Sequence, residues 1–117
     1  MYQIRFYRDR REHEPVREFL IDLRSKKDKT SRILYRLVTA HIKALTLSGL
    51  RTGMPYIRRI DKEIWELRPQ RYRIFFFAFH QDSFVLLHHY YKKTEKTPTA
   101  EIERAHREME NYLAEEE

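Results

Sequence analysis

Apolar residues change their period three times along the chain. Tyr2, Ile4 and Phe6 alternate with polar neighbours, the spacing of a strand with one buried face. From Pro15 the period turns helical: Val16, Phe19, Leu20 and Leu23 recur at i, i+3, i+4 and i+7, one stripe of a helix of about three turns. Proline suits its first position, where the missing N–H would have no helical partner anyway. Ser25-Lys26-Lys27-Asp28 interrupts the pattern. Ile33, Leu34, Leu37, Val38, His41, Ile42, Ala44 and Leu45 then mark a second, longer helix stopped by Gly49. Together they predict an antiparallel helical hairpin, and His41, on the apolar side, reads as a hydrogen-bonded packing residue.

Beyond Pro55 the period returns to two. Residues 56–60, 63–68, 72–79 and 84–91 predict four short strands in an antiparallel meander, rich in the aromatic and β-branched residues that pleated surfaces favour. Turns fall at Asp61-Lys62, Pro69-Gln70 and His80-Gln81-Asp82-Ser83. Thr97 as cap and Pro98 in the first turn open a last helix, with Ile102, Ala105, Met109, Tyr112 and Leu113 along one face. The expected order is βααββββα: an α+β fold with an antiparallel-rich central sheet, an N-terminal helical hairpin and a C-terminal helix, in one domain spanning 1–117.

Composition adds charge to this picture. The 117 residues carry a formal net charge of +6 and no cysteine, so disulfides and thiolate metal clusters are excluded. Residues 101–117 hold seven Glu against Arg104 and Arg107, a balance of −5, which leaves +11 on residues 1–100. A body this basic attracts polyanions, nucleic acid above all. The opening Met1-Tyr2-Gln3-Ile4-Arg5-Phe6 lacks the apolar run of a signal peptide, and no stretch approaches membrane-spanning length, so a cytoplasmic protein is expected.

Chemistry-bearing side chains gather at strand ends: Glu66-Leu67-Arg68, Tyr72-Arg73, and His88-His89-Tyr90-Tyr91-Lys92-Lys93. The order of elements resembles the HigB toxins of the RelE/ParE superfamily. So do the phrases Trp65-Glu66-Leu67-Arg68, Tyr72-Arg73-Ile74-Phe75 and Leu87-His88-His89-Tyr90-Tyr91-Lys92-Lys93-Thr94, with Lys96-Thr97-Pro98 before the last helix. The resemblance covers nearly the whole chain and includes phage-derived relatives. It implies a RelE-like toxin of a type II toxin–antitoxin pair, with a helix-turn-helix (HigA-like) antitoxin as partner in a hetero-oligomer. The implied activity is ribosome-dependent cleavage of mRNA, without metal or cofactor. ParE relatives imply an alternative, non-catalytic inhibition of DNA gyrase.

Metal-free RNA cleavage has the 2′-hydroxyl attack the adjacent phosphorus, leaving a 2′,3′-cyclic phosphate and a 5′-hydroxyl. It needs a base, an acid, and fixed cations beside the phosphoryl oxygens. Arg73 and Arg68 suit the cations, since a guanidinium stays charged and its planar fork matches phosphate. Arg73, in the Tyr-Arg phrase, is the position the resemblance marks for phosphate. Proton transfer could fall to His88, His89, Tyr90, Tyr91, Lys92 or Lys93. Regular alternation puts His89, Tyr91 and Lys93 on one face and His88, Tyr90 and Lys92 on the other, and the first set is preferred because family members place a basic residue near Lys93. A bulge or a one-residue slip would exchange the sets. Glu66 stands where better-studied relatives carry strand lysines; it is either the base or an ion-pair partner of Arg68 or Arg73. The adjacent His88-His89 pair points to opposite faces and is no metal pair.

Overall fold

The computed structural model describes residues 1–116 and is built on one five-stranded mixed sheet. Along the chain run β1 (Gln3–Phe6), α1 (Pro15–Ser25), α2 (Lys29–Ser48), a short 3₁₀ turn (Gly49–Thr52), β2 (Ile57–Arg59), β3 (Trp65–Leu67), β4 (Tyr72–Phe79), β5 (Ser83–Tyr91) and α3 (Thr99–Glu116). The βααββββα order and the α+β class are as expected; β2 and β3 are shorter than the alternation suggested. Across the sheet the order is β1-β5-β4-β3-β2. β2 to β5 form the antiparallel meander, whereas β1 pairs with β5 in parallel, Ile4 opposite Phe84.

Local chemistry explains the helix ends. Pro15 takes the first position of α1, and Glu14 N–H donates to Glu18 Oε2 at 2.8 Å. Asp28, within the polar interruption, caps α2 by accepting from Ser31 N–H at 2.9 Å. α3 begins at Thr99, later than expected, with the Pro98 carbonyl accepting from Ile102 N–H at 3.3 Å. The chain turns from β2 to β3 around Asp61, whose carboxylate accepts from the backbone of Glu63 and Ile64.

The sheet is packed on both faces. Ile57, Leu67, Ile74, Phe76, Phe84 and Leu86 meet Val16, Phe19, Leu23, Leu34, Val38 and Leu45 of the hairpin. Ile64, Phe75, Phe77, Phe79, Val85, Leu87 and Tyr90 meet Ala105 and Met109 of α3. Strands covered on both sides read as continuous apolar runs, which is why Phe75-Phe76-Phe77 are all buried. α3 is also pinned by polar contacts: His88 lies between Glu108, Nδ1 to Oε1 at 2.5 Å, and Glu101, Nε2 to Oε1 at 3.0 Å. His106 reaches Asp61, and Arg5 of β1 reaches Glu116. Buried His41 bonds the Leu37 carbonyl through Nδ1 at 2.9 Å, the packing role expected of it.

At the end of α2 the chain must enter a left-handed conformation, and Gly49 supplies it with φ +58°. A Cβ there would stand 2.7 Å from Cε2 of Tyr2, whose own N–H is held by the Thr46 carbonyl at 2.8 Å. Gly49→Ala is therefore expected to cost about 2 kcal/mol, read as a lower urea midpoint at unchanged m-value. Adding Tyr2→Ala should recover part of the loss, because it removes the collision and leaves the positive φ. An identical loss in single and double variants would show that the ring contact contributes nothing.

Candidate functional site

The pairing of β3 with β4 sets Leu67 opposite Ile74, so Arg68 and Arg73, the next residues outward on each strand, become neighbours across the sheet. Both turn towards Glu66, which is completely buried. Its Oε2 lies 3.5 Å from Arg68 Nε and 3.6 Å from Arg73 Nε. These are ion pairs without hydrogen-bond geometry: both Glu66 oxygens and both Nε atoms are buried with no hydrogen-bond partner among the described residues. Burial pushes the Glu66 carboxyl above its ordinary value, and Arg73 and then Arg68 pull the other way. A carboxylate so placed orients guanidinium groups and is itself walled off from any ligand.

The turn between β3 and β4 completes the hold on Arg73. Gln70 adopts φ +56°, sparsely populated for a residue with a Cβ. Its carbonyl accepts from Arg73 Nη1 at 2.9 Å, as does that of Tyr72 at 2.8 Å. Nη1 is thereby engaged within the protein and Nε faces Glu66; Nη2 has no hydrogen-bond partner among the described residues. Arg73, only 7% exposed, lines an open groove of about 320 Å³ with Arg71, Lys92, Lys93, Thr94 and Glu95. Arg71 Nε donates to the Lys92 carbonyl at 3.0 Å, and Lys92 N–H donates to the Arg71 carbonyl at 2.7 Å. The ladder thus runs past the end of β5 and ties the turn that carries Arg71 and Arg73 to the strand end that carries Lys92.

A bulge decides which side chains of β5 join this groove. Ile74 pairs with His89 but Phe76 pairs with Leu86, so Leu87 and His88 both stand opposite Phe75. Beyond the bulge the faces exchange. Tyr90, directly across from Arg73, and Lys92 share the arginines' face. The expectation that His89 and Tyr91 accompany Arg73 is corrected. His89 stacks on Phe19 of α1, ring centroids 3.8 Å apart, and Tyr91 packs edge-on against Tyr72 at 5.1 Å, both on the hairpin side. Lys93 follows the strand and lines the groove. His88 faces α3, held by its two glutamates.

The environments of these groups differ. Tyr90 is buried, stacked on Phe75 at 5.5 Å, its hydroxyl without a hydrogen-bond partner among the described residues; burial raises its phenol above the ordinary value. Lys92 is half-buried, and burial together with the adjacent Arg73 lowers its ammonium. Burial also lowers Arg73, with Glu66 opposing. His89 is pushed down to about 4, by burial first and then by His88 and Arg104. Sequence reasoning missed Arg71. Its signal was its place in the same turn, one residue before Tyr72-Arg73.

Fold and groove together define a small basic α+β protein of RelE-like architecture with a cationic groove at the end of its sheet. The model of one family, Phage derived protein Gp49-like (DUF891), matches residues 26–110, and the chain belongs to that family. It is a RelE/HigB-like toxin family, whose members in general pair with an antitoxin. The matched residues include β2 to β5 and every groove residue. No curated protein matches the chain. Among the described residues no helix is long and apolar enough to cross a membrane.

His89 makes the fold sensitive to acid. Its folded pKa lies below the unfolded value of 6.5, so between about pH 6.5 and 4 the unfolded chain binds a proton that the folded one refuses, and stability falls as pH falls. His89→Phe keeps the stack on Phe19 and removes that proton. The wild type should lose about 2 kcal/mol more than His89→Phe between pH 7 and 4.5 in urea titrations; equal losses would place the acid sensitivity elsewhere.

Proposed function

We propose that this protein is a HigB-like toxin acting as a ribosome-dependent mRNA endonuclease, cleaving by attack of the 2′-hydroxyl on the adjacent phosphorus. The observation that carries the reading is the Glu66–Arg68–Arg73 cluster, whose Arg73 lines a groove with Arg71, Lys92 and Lys93. A scissile phosphate in that groove meets Arg73 Nη2, with Arg68, Arg71 and Lys93 offsetting the charge that grows on its oxygens. Glu66 acts as a positioning residue, holding both guanidinium groups in place before RNA arrives. Lys92, its pKa lowered, gives a proton to the departing 5′-oxygen as the P–O5′ bond breaks. The 2′-oxygen forms its bond to phosphorus and releases its proton to water.

With the imidazoles of His88 and His89 committed to the two packed faces, catalysis leans on electrostatic stabilisation, and the ribosome supplies the ordering of the RNA. DNA, lacking the 2′-hydroxyl, is not cleaved. The expected partner is a helix-turn-helix antitoxin of the HigA kind, and the site of action is the cytoplasm, where ribosomes and mRNA are.

Arg73→Ala should abolish growth arrest and lower cleavage by about a hundredfold or more, while circular dichroism and antitoxin binding stay unchanged. Primer extension after induction is the readout: new 5′ ends inside reading frames for the wild type, none for the variant. Wild-type arrest with a DNA-damage response and no new ends would replace the nuclease with a gyrase inhibitor. Single-turnover cleavage on purified ribosomes tests Lys92. Activity should fall with rising pH below the ordinary lysine value, as the ammonium loses its proton, and Lys92→Arg should move that limb out of range. An unchanged limb would remove Lys92 from proton transfer.

A further inference from the structure

The solvent side of α2 carries a second apolar stripe that neither core uses. Ile33, Leu37, Ala40, Ala44 and Leu47 follow at spacings of four, three, four and three, the seam of a helix that packs along another helix. The core stripe of the same helix, Leu34, Val38, His41 and Leu45, lies to one side of it. Ile33 is 45% exposed and Leu47 57%. Lone apolar residues on a surface are ordinary, whereas five in register along one helix mark a place for a partner. Ala40 and Ala44 line a groove of about 390 Å³ together with Leu37 and with Tyr56, whose half-exposed ring stands edge-on to His41 at 5.6 Å. Small residues between larger ones are what admits the side chains of an incoming helix.

Charge identifies the occupant. α2 contains Lys29, Arg32, Arg36 and Lys43 and no Asp or Glu. Arg36 and Lys43 border the seam on the side away from the core, and Arg51 lines the groove. In an antiparallel pairing of two copies, Arg36 of each would meet Lys43 of the other, which like-charge repulsion opposes. We propose that this face of α2 docks an acidic amphipathic helix of a partner protein, laid along about 21 Å of seam. The groove is also tied to the candidate active site. The Tyr56 carbonyl accepts from Arg68 N–H at 2.9 Å, and Met54 Sδ lies 3.6 Å from Arg68 Nη1. A helix pressing on Tyr56 therefore acts on the backbone that carries Arg68. Docking itself is independent of the nuclease reading; its effect on Arg68 rests on that reading.

The test uses the full chain and two synthetic three-heptad peptides sharing one Leu seam, the first flanked by Glu, the second by Lys, with binding followed by fluorescence anisotropy. The Glu peptide should bind saturably, about tenfold or more tighter than the Lys peptide, and weaken as salt rises. Leu47→Glu and Ala44→Glu should each weaken it about tenfold. Arg73→Ala should bind it unchanged, so that loss of the nuclease reading would leave this result standing. No saturable binding of the Glu peptide, equal binding of both peptides, or indifference to Leu47→Glu would overturn the proposal. So would a sedimentation dimer that Leu47→Glu dissolves, which would assign the face to a second copy.

Discussion

Opposite Phe75, β5 sets two residues, Leu87 and His88, where a regular ladder would set one. Before that point odd-numbered side chains of β5 face α3; after it the even-numbered ones do. Without the extra residue, Tyr90 and Lys92 would point into the helical hairpin and the arginines of β3 and β4 would face an imidazole and a second tyrosine. With it, His88 meets the two glutamates of α3 and His89 slides over Phe19. The bulge thus anchors the last helix and composes the groove at once. Bulges beside active sites re-aim side chains in this way.

The charges gathered there work against stability. A fully buried carboxylate under two guanidinium groups, none of them hydrogen-bonded through the facing atoms, recovers in mutual attraction only part of what desolvation costs. The left-handed Gln70 adds backbone strain whose carbonyl restrains Arg73. A sheet packed on both faces can bear this, and the outcome is a set of cations fixed before any phosphate arrives. Preorganisation of that kind matters most where charge develops during reaction, because donors already in place need no reorientation.

The acidic C-terminal segment has a structural use as well. Three of its glutamates turn inward: Glu101 and Glu108 take His88 and Glu116 takes Arg5. These contacts fold part of the negative charge back onto the basic body at the α3 side, while α2 on the opposite side of the sheet keeps its cations exposed.

Element order and class were legible in the sequence because they depend on local period: two for strands, 3.6 for helices, broken at Pro15, Gly49 and Pro98. Arg68, Arg73 and Glu66 were legible as a cluster because a short turn joins two antiparallel strands and must bring their ends together. The parallel pairing of β1 with β5, the cap at Asp28 and the place of Arg71 in the groove were not read. Nor could the sequence choose between His89 with Tyr91 and Tyr90 with Lys92, since both faces of β5 begin apolar and both are buried. That choice turned on a single unpaired residue opposite Phe75, which the packing of α1 on one face and α3 on the other accommodates. Periodicity is a property of neighbours along the chain; the face on which a side chain finally lies is settled by what the rest of the molecule presses against it.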